Sequence, residues 1–286
     1  MNLNTDGGTT PAYPHAADLA VLQPSLEALV DEIVASGLSR DTLGCALNAG
    51  MTEVTSVLRA VPAAEGRLLE RGIGLVAGRN PDLVVLTQNL RLPVTKAASE
   101  LVEMNDPSLY RSLSLDADSG GRKTYTPDLL ILNRRSEVAH LVDVKRSLGS
   151  YELSRIAELK SRMLAAALVV PDLLYKEHRR LRAKEVRVVI LNASNQKADI
   201  DGGVWPLSHL DHLLEVNGAG NAMAQLRELF QHRIEENWSM ALTGRRHAGG
   251  KAEKRPTLHC GDDDVCGSTR LPVSIGFARA PRAASP

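Results

Sequence analysis

Apolar residues recur every three to four positions through "SLEALVDEIVASG", which sets Leu26, Leu29, Val30 and Ile33 on one face and predicts a helix from Pro24 to Gly37. Ser39 stands where an N-cap would open "RDTLGCALN", "AGM" turns the chain, and "TEVTSVLRAV" resumes the helical spacing. Residues 39–60 therefore have the outline of a helix-turn-helix, with Ala46 and Gly50 four apart for close packing. "AAEGRLLERGIGLVAG" predicts another helix, stopped by Gly78-Arg79-Asn80-Pro81. The period then changes. "DLVVLTQ" reads as a strand, and "TKAASELVEMN" as a helix capped by Thr95 and closed before Pro107. "LYRSLSLD", "TYTPDLLIL" and "VAHLVDVKR", joined by "ADSGGRK" and "NRRSE", predict a three-stranded antiparallel meander over residues 109–146.

A helix follows over about residues 150–168, with Ile156, Leu159, Met163 and Leu164 inward. "DLLYKEHRRLRA" predicts a second helix, "VRVVIL" a buried strand, and "MAQLRELFQHRIEEN" a last helix. "NGAGNA" is glycine-rich, but it follows no predicted strand and carries no lysine, so it reads as a helix start rather than a phosphate loop. Residues 1–20 read as a flexible leader. From about Leu242 the Gly, Arg, Pro, Ala and Asp content predicts a disordered tail over 241–286. The organisation expected is α/β, with a helical region at 21–62 and a main domain at 63–240.

Composition narrows the partners. The 286 residues are 43% hydrophobic, and 34 Lys and Arg balance 34 Asp and Glu, so any nucleic-acid surface has to be local. Aromatic content of 3% argues against bases stacked on rings. Cys45, Cys260 and Cys266 are too few for a disulfide framework and imply a reducing, cytoplasmic setting. No signal-peptide pattern or membrane-length apolar run is present. His259, Cys260 and Cys266 fall short of a closed zinc site, since the two cysteines are spaced too widely.

Chemistry concentrates in the predicted hairpin "TPDLLILNRRSEVAHLVDVKR". Asp143 and Lys145 are two apart on one strand and project from one face. Mirror pairing about a turn at Arg135 and Ser136 places Asp128 opposite Asp143. Two neighbouring carboxylates tolerate joint ionisation only with a cation between them, and oxygen ligands of this kind suit Mg²⁺ or Mn²⁺. Such an ion promotes attack of water on a phosphodiester, and Lys145 is placed to orient the water or offset developing charge. A surface ion pair beside a turn-forming Pro-Asp is the plainer alternative, but Leu141, Val142 and Val144 make this an expensive place for it.

Pro127-Asp128 followed by Asp143-Val144-Lys145 resembles the signature of the PD-(D/E)xK nuclease superfamily. The order of helix, three-strand meander, helix and strand is similar to that superfamily's restriction-endonuclease-like core, over about residues 63–192. The resemblance implies metal binding by Asp128 and Asp143, a catalytic Lys145, and a glutamate on the helix before the meander. Connectivity favours Glu100, at the edge of the stripe Val94, Ala97, Ala98 and Leu101, whereas Glu103 points to solvent. Glu70, sharing a face with Ile73, Gly74 and Ala77, is the other candidate and resembles the glutamate helix of Holliday-junction-resolving members.

Tyr151 follows the lysine without a glutamine, which departs from the exonuclease-type pattern. Arg155, Lys160, Arg162, Lys176, Arg179, Arg180, Arg182 and Lys184 offer either a phosphate-gripping flank or a solvated face balanced by Glu158, Glu177 and Glu185. The expected activity is a Mg²⁺-dependent DNA endonuclease, acting as a homodimer where both strands are cut. A non-catalytic DNA-binding or regulatory protein, reading DNA through residues 39–60 on the same scaffold, is the alternative. A module whose basic face binds an acidic protein is a third.

Overall fold

The computed structural model describes residues 13–87, 90–110, 113–117, 123–194 and 197–248. Strand β1 (His15–Ala16) precedes helices α1 (Leu19–Ala35), α2 (Arg40–Ala49) and α3 (Met51–Ala77). Then come β2 (Leu83–Leu86), β3 (Leu92–Val94), α4 (Lys96–Met104), α5 (Pro107–Tyr110) and β4 (Lys123–Tyr125). Strands β5 (Leu129–Asn133) and β6 (Val138–Lys145) lead into α6 (Leu153–Ala167), α7 (Val170–Glu177) and β7 (Glu185–Asn192). The chain continues through β8 (Val204–Pro206), α8 (Leu210–Leu214), β9 (Val216–Asn217) and α9 (Ala219–Ala248). Among the described residues no helix is long and apolar enough to cross a membrane.

The capping residues act where the sequence places them. Ser39 accepts from the Thr42 N–H, and Thr95 from the Ala98 N–H, so α2 and α4 start at those positions. Helix α1 begins earlier than the apolar spacing suggests, because Asp18 caps it and Pro24 is carried inside it. The turn of the expected helix-turn-helix shrinks to Gly50, whose φ of 112° is closed to ordinary side chains. Its second helix does not stop, because the two helices expected on either side of residue 62 are one, α3. Pro62 is exposed, so the carbonyl it frees faces water. The stripe Val57, Ala64, Leu68, Leu69, Ile73 and Val76 stays buried across it. Helix α9 begins in "NGAGNA", after Gly218 at φ 78°, and runs past Leu242 into the stretch expected as tail. His259, Cys260 and Cys266 lie outside the described residues.

The main sheet is mixed and five-stranded, in the order β2-β5-β6-β7-β8. Strands β2, β5 and β6 pair antiparallel, and β6, β7 and β8 are parallel. One predicted strand is absent: residues 107–110 are helical and 113–116 form no strand. The alternation in "LYRSLSLD" has no sheet to face, since Leu113 is exposed and the Leu115 N–H goes to the Leu168 carbonyl. The first strand of the meander is instead β2, and the segment from β3 to β4 is an excursion between β2 and β5. Among the described residues, strands β3 and β4 pair only with each other.

Alternate side chains of the sheet enter two cores. Leu129, Ile131, Val142, Val144, Val189 and Leu191 face α1, α2, α3 and α9, so the helical region 21–62 shares this core with the sheet. Leu130, Leu132, Ala139, Leu141 and Ile190 face α4, α6 and α7.

Candidate functional site

Strands β5 and β6 pair Leu129 with Val142, Ile131 with His140, and Asn133 with Val138. Continued one residue, this register sets Asp128 against Asp143, as mirror pairing of the sequence predicts. The next pair would be Pro127 with Val144. Proline has no N–H to give, so the ladder ends there. The Val144 N–H is taken by the Asp128 carboxylate, at 2.6 Å from Oδ2. The Pro-Asp order thus has a local cause: the proline stops the sheet and the aspartate completes the hydrogen bond left open.

Asp128 shares its face of the sheet with Leu130 and Leu132, and Asp143 and Lys145 share theirs with Ala139 and Leu141. All three ionisable groups therefore lie on the α6 side. Asp143 is 5% exposed. Its Oδ1 forms an ion pair with Lys145, and its Oδ2 accepts a 2.9 Å hydrogen bond from the Tyr125 hydroxyl. Burial raises the pKa of Asp128 above the usual carboxylate range, and the charge on Asp143 adds to the rise, opposed by the Val144 N–H and Lys145. Burial disfavours the Lys145 ammonium, but Asp143, then Asp128 and Tyr151, outweigh it and hold Lys145 above its ordinary value. Burial, Asp143 and Asp128 push the Tyr125 phenol well up, so it remains a donor. Tyr125 is absent from the sequence reading. Its position two residues before Pro127 was the available signal, but β4 belongs to a separate small sheet whose packing no local pattern reports.

The structure brings Glu70, not Glu100, into this field. Glu100 is exposed on α4 and pairs with Lys96 one turn away, at 3.3 Å. Connectivity pointed to Glu100 only because residues 109–116 were expected to open the meander. With β2 as its first strand, the preceding helix is α3, which carries Glu70. That helix packs on the opposite face of the sheet, so Glu70 arrives from the other side from Asp143. Burial first, then the charges of Asp128 and Asp143, against the opposing pull of Lys145 and Arg67, raise its carboxyl to about 7.

A second network anchors the end of β6. Glu65 on α3 is buried and accepts from Arg227 of α9 at 2.8 and 3.1 Å, while Arg146 lies 3.7 Å away. Arg227 also donates to the Ala193 carbonyl, and the Ala193 N–H bonds the Lys145 carbonyl. The backbone of Lys145 is thus tied to α3 and α9 through this chain of bonds. Of the basic residues expected as a phosphate flank, Lys160 pairs with Asp199, Arg162 with Glu158, Lys176 with Asp116 and Asp172, and Lys184 with Glu137. Much of that charge is balanced locally.

Burial is the largest cause of the raised carboxyl pKa values, and the charges of neighbouring acids around a single ammonium add to it, so the cluster is short of positive charge. A divalent cation corrects that shortage, and carboxylate oxygens are the donors Mg²⁺ prefers. Among the described residues no three His, Cys, Asp or Glu side chains gather as a complete metal cage. The pair Asp128 and Asp143 suits an ion that keeps several waters. No protein-family description, curated protein or solved structure matches the chain.

Proposed function

We propose that the chain is a Mg²⁺- or Mn²⁺-dependent nuclease with a PD-(D/E)xK core, cutting DNA as an endonuclease. The observation that carries this reading is the register that sets Asp128 against Asp143, with Lys145 on the same face. The order of elements supports it: helix α3, the antiparallel meander β2-β5-β6, helix α6, and β7 parallel to β6. Asp128 and Asp143 would hold the ion, and Glu70, arriving from the other face of the sheet, lies within their electrostatic field. When bound, the ion supplies a Lewis acid for the scissile phosphate and lowers the pKa of the attacking water. Lys145, kept protonated by its acidic neighbours, orients that water and offsets charge building on the phosphate. Tyr125 fixes the rotamer of Asp143 through its hydrogen bond, and Arg146, half exposed next to Lys145, meets the phosphate backbone.

The test is nicking of supercoiled plasmid with Mg²⁺ or Mn²⁺ against a chelator control. Lys145→Ala and Asp128→Asn should each abolish cutting while circular dichroism shows a folded chain. Asp128→Asn is the safer variant for folding, since it removes a carboxyl that the fold already disfavours in its charged form. Wild-type protein that never cuts, but shifts DNA equally well with chelator present, would leave only the DNA-binding alternative. Cutting by Asp128→Asn at the wild-type rate would remove the site from the reaction.

A further inference from the structure

Of the basic residues that follow Lys145 in sequence, Lys160, Arg162, Lys176 and Lys184 are held in ion pairs. Arg179, Arg180 and Arg182 are exposed, and among the described residues they pair with no carboxylate. Glu177 is the only acid in the run "EHRRLRAK" that carries them, so the run keeps an excess of positive charge. In a chain whose 34 basic and 34 acidic residues balance, this is a local field.

The backbone that carries these arginines is strained. The Leu181 N–H bonds the His178 carbonyl at 3.0 Å and closes a four-residue turn. Its two central residues, Arg179 and Arg180, have φ of 51° and 60°. Positive φ at both central positions is the pattern of a type I′ turn, which favours Asn and Gly and strains longer side chains. Two arginines stand where turn chemistry would place Asn-Gly, and neither has an ion-pair partner among the described residues. Their use therefore lies outside the fold.

The turn has a firm base. Leu181 and Ala183 pack against the core that contains Leu168, Leu173 and Leu174, and the Lys184 N–H bonds the Glu137 carbonyl at 2.7 Å. That core lies on the α6 side of the sheet, the side on which Asp143 and Lys145 stand. Helix α6 leaves the Lys145 end of the sheet, and the chain returns through α7 and this turn to the start of β7. Its 15 residues measure roughly 22 Å along the axis. At about 3.4 Å per base pair, that length matches roughly six base pairs of duplex. A guanidinium grips a phosphate with two parallel hydrogen bonds, which makes arginine suited to a nucleic-acid backbone.

We infer that Arg179, Arg180 and Arg182 form an exosite that holds the phosphate backbone of duplex DNA about six base pairs from the point of cutting. The inference rests on the nuclease reading for where the cut falls, whereas the grip itself needs no metal. The test is fluorescence anisotropy of the full-length chain with a labelled duplex of about 20 base pairs, in chelator, between roughly 50 and 200 mM salt. The variant is Arg179→Asn, Arg180→Gly and Arg182→Gln, which suits the turn and should leave the denaturant midpoint unchanged or higher. Its plot of log affinity against log salt should be shallower by about 2.7, three phosphate contacts at about 0.9 each. In plasmid nicking with Mg²⁺, KM should rise while kcat stays at the wild-type value. A variant with the wild-type salt slope overturns the exosite even where cutting is normal, and so does a wild-type chain that does not bind duplex. A variant that loses binding to polyglutamate but keeps its grip on duplex overturns it in favour of an acidic protein partner. The shallower slope in a protein that never cuts would sink the nuclease reading and leave the phosphate grip standing.

Discussion

Replacing Glu70 with glutamine measures the cost of burying a charged carboxyl beside Asp128 and Asp143. Burial and the charges of Asp128 and Asp143 carry this carboxyl from its ordinary 4.5 to about 7 in the fold. At about 1.36 kcal/mol per tenfold change in acidity, that rise corresponds to roughly 3.4 kcal/mol. Glu70 is only partly buried, so solvent screening reduces the figure to about 1.5 kcal/mol. The direction is fixed by linkage. A carboxyl whose pKa is raised on folding contributes stability that is fully present below about 4.5 and is lost as pH climbs to about 7. Glutamine stays neutral throughout. In urea denaturation without divalent cations, Glu70→Gln should match the wild type at about pH 4 and exceed it by about 1.5 kcal/mol at about pH 8. Adding Mg²⁺ at the higher pH should stabilise the wild type more than the variant and narrow the gap. A constant offset across this pH range, or a variant weaker only at high pH, would refute the reasoning, because either would mean that folding does not raise the pKa of Glu70.

Three further outcomes follow from the same geometry. Lys145→Ala leaves the buried Asp143 carboxylate without its cation and should cost about 3 kcal/mol at neutral pH, measured by denaturant midpoint and partly restored by Mg²⁺. Tyr125→Phe removes one hydrogen bond to a buried charged oxygen and should cost about 2 kcal/mol in the same assay; a loss under about 0.5 kcal/mol would argue against that bond. Burial, reinforced by Arg187 and opposed by Glu185, lowers His140 to about 4, so it folds neutral. Its contribution is present above about 6.5 and lost as pH falls toward 4, so His140→Gln should flatten the acid limb of the stability profile by about 2 kcal/mol.

The hairpin was legible from residues alone because its information is local. Period-two alternation gives β5 and β6, the turn residues between them fix the register, and the register sets Asp128 against Asp143. The same holds for the Ser39 and Thr95 caps, where a side chain bonds a backbone group a few residues away. The glutamate was a different matter. Choosing between Glu70 and Glu100 depended on which strand opens the meander, and alternation in "LYRSLSLD" reads the same whether or not a sheet is there to receive it.

Only tertiary structure decided that β2 fills that place and that the segment from β3 to β4 leaves the sheet. It also decided that α3 runs unbroken through Pro62, because the gain comes from burying a long stripe against the sheet and α9, while proline's effect is confined to one exposed turn. Tyr125, Glu65 and Arg227 join the site's surroundings through partners distant in sequence. Pairings of that kind are set by packing between elements, which periodicity within an element does not encode.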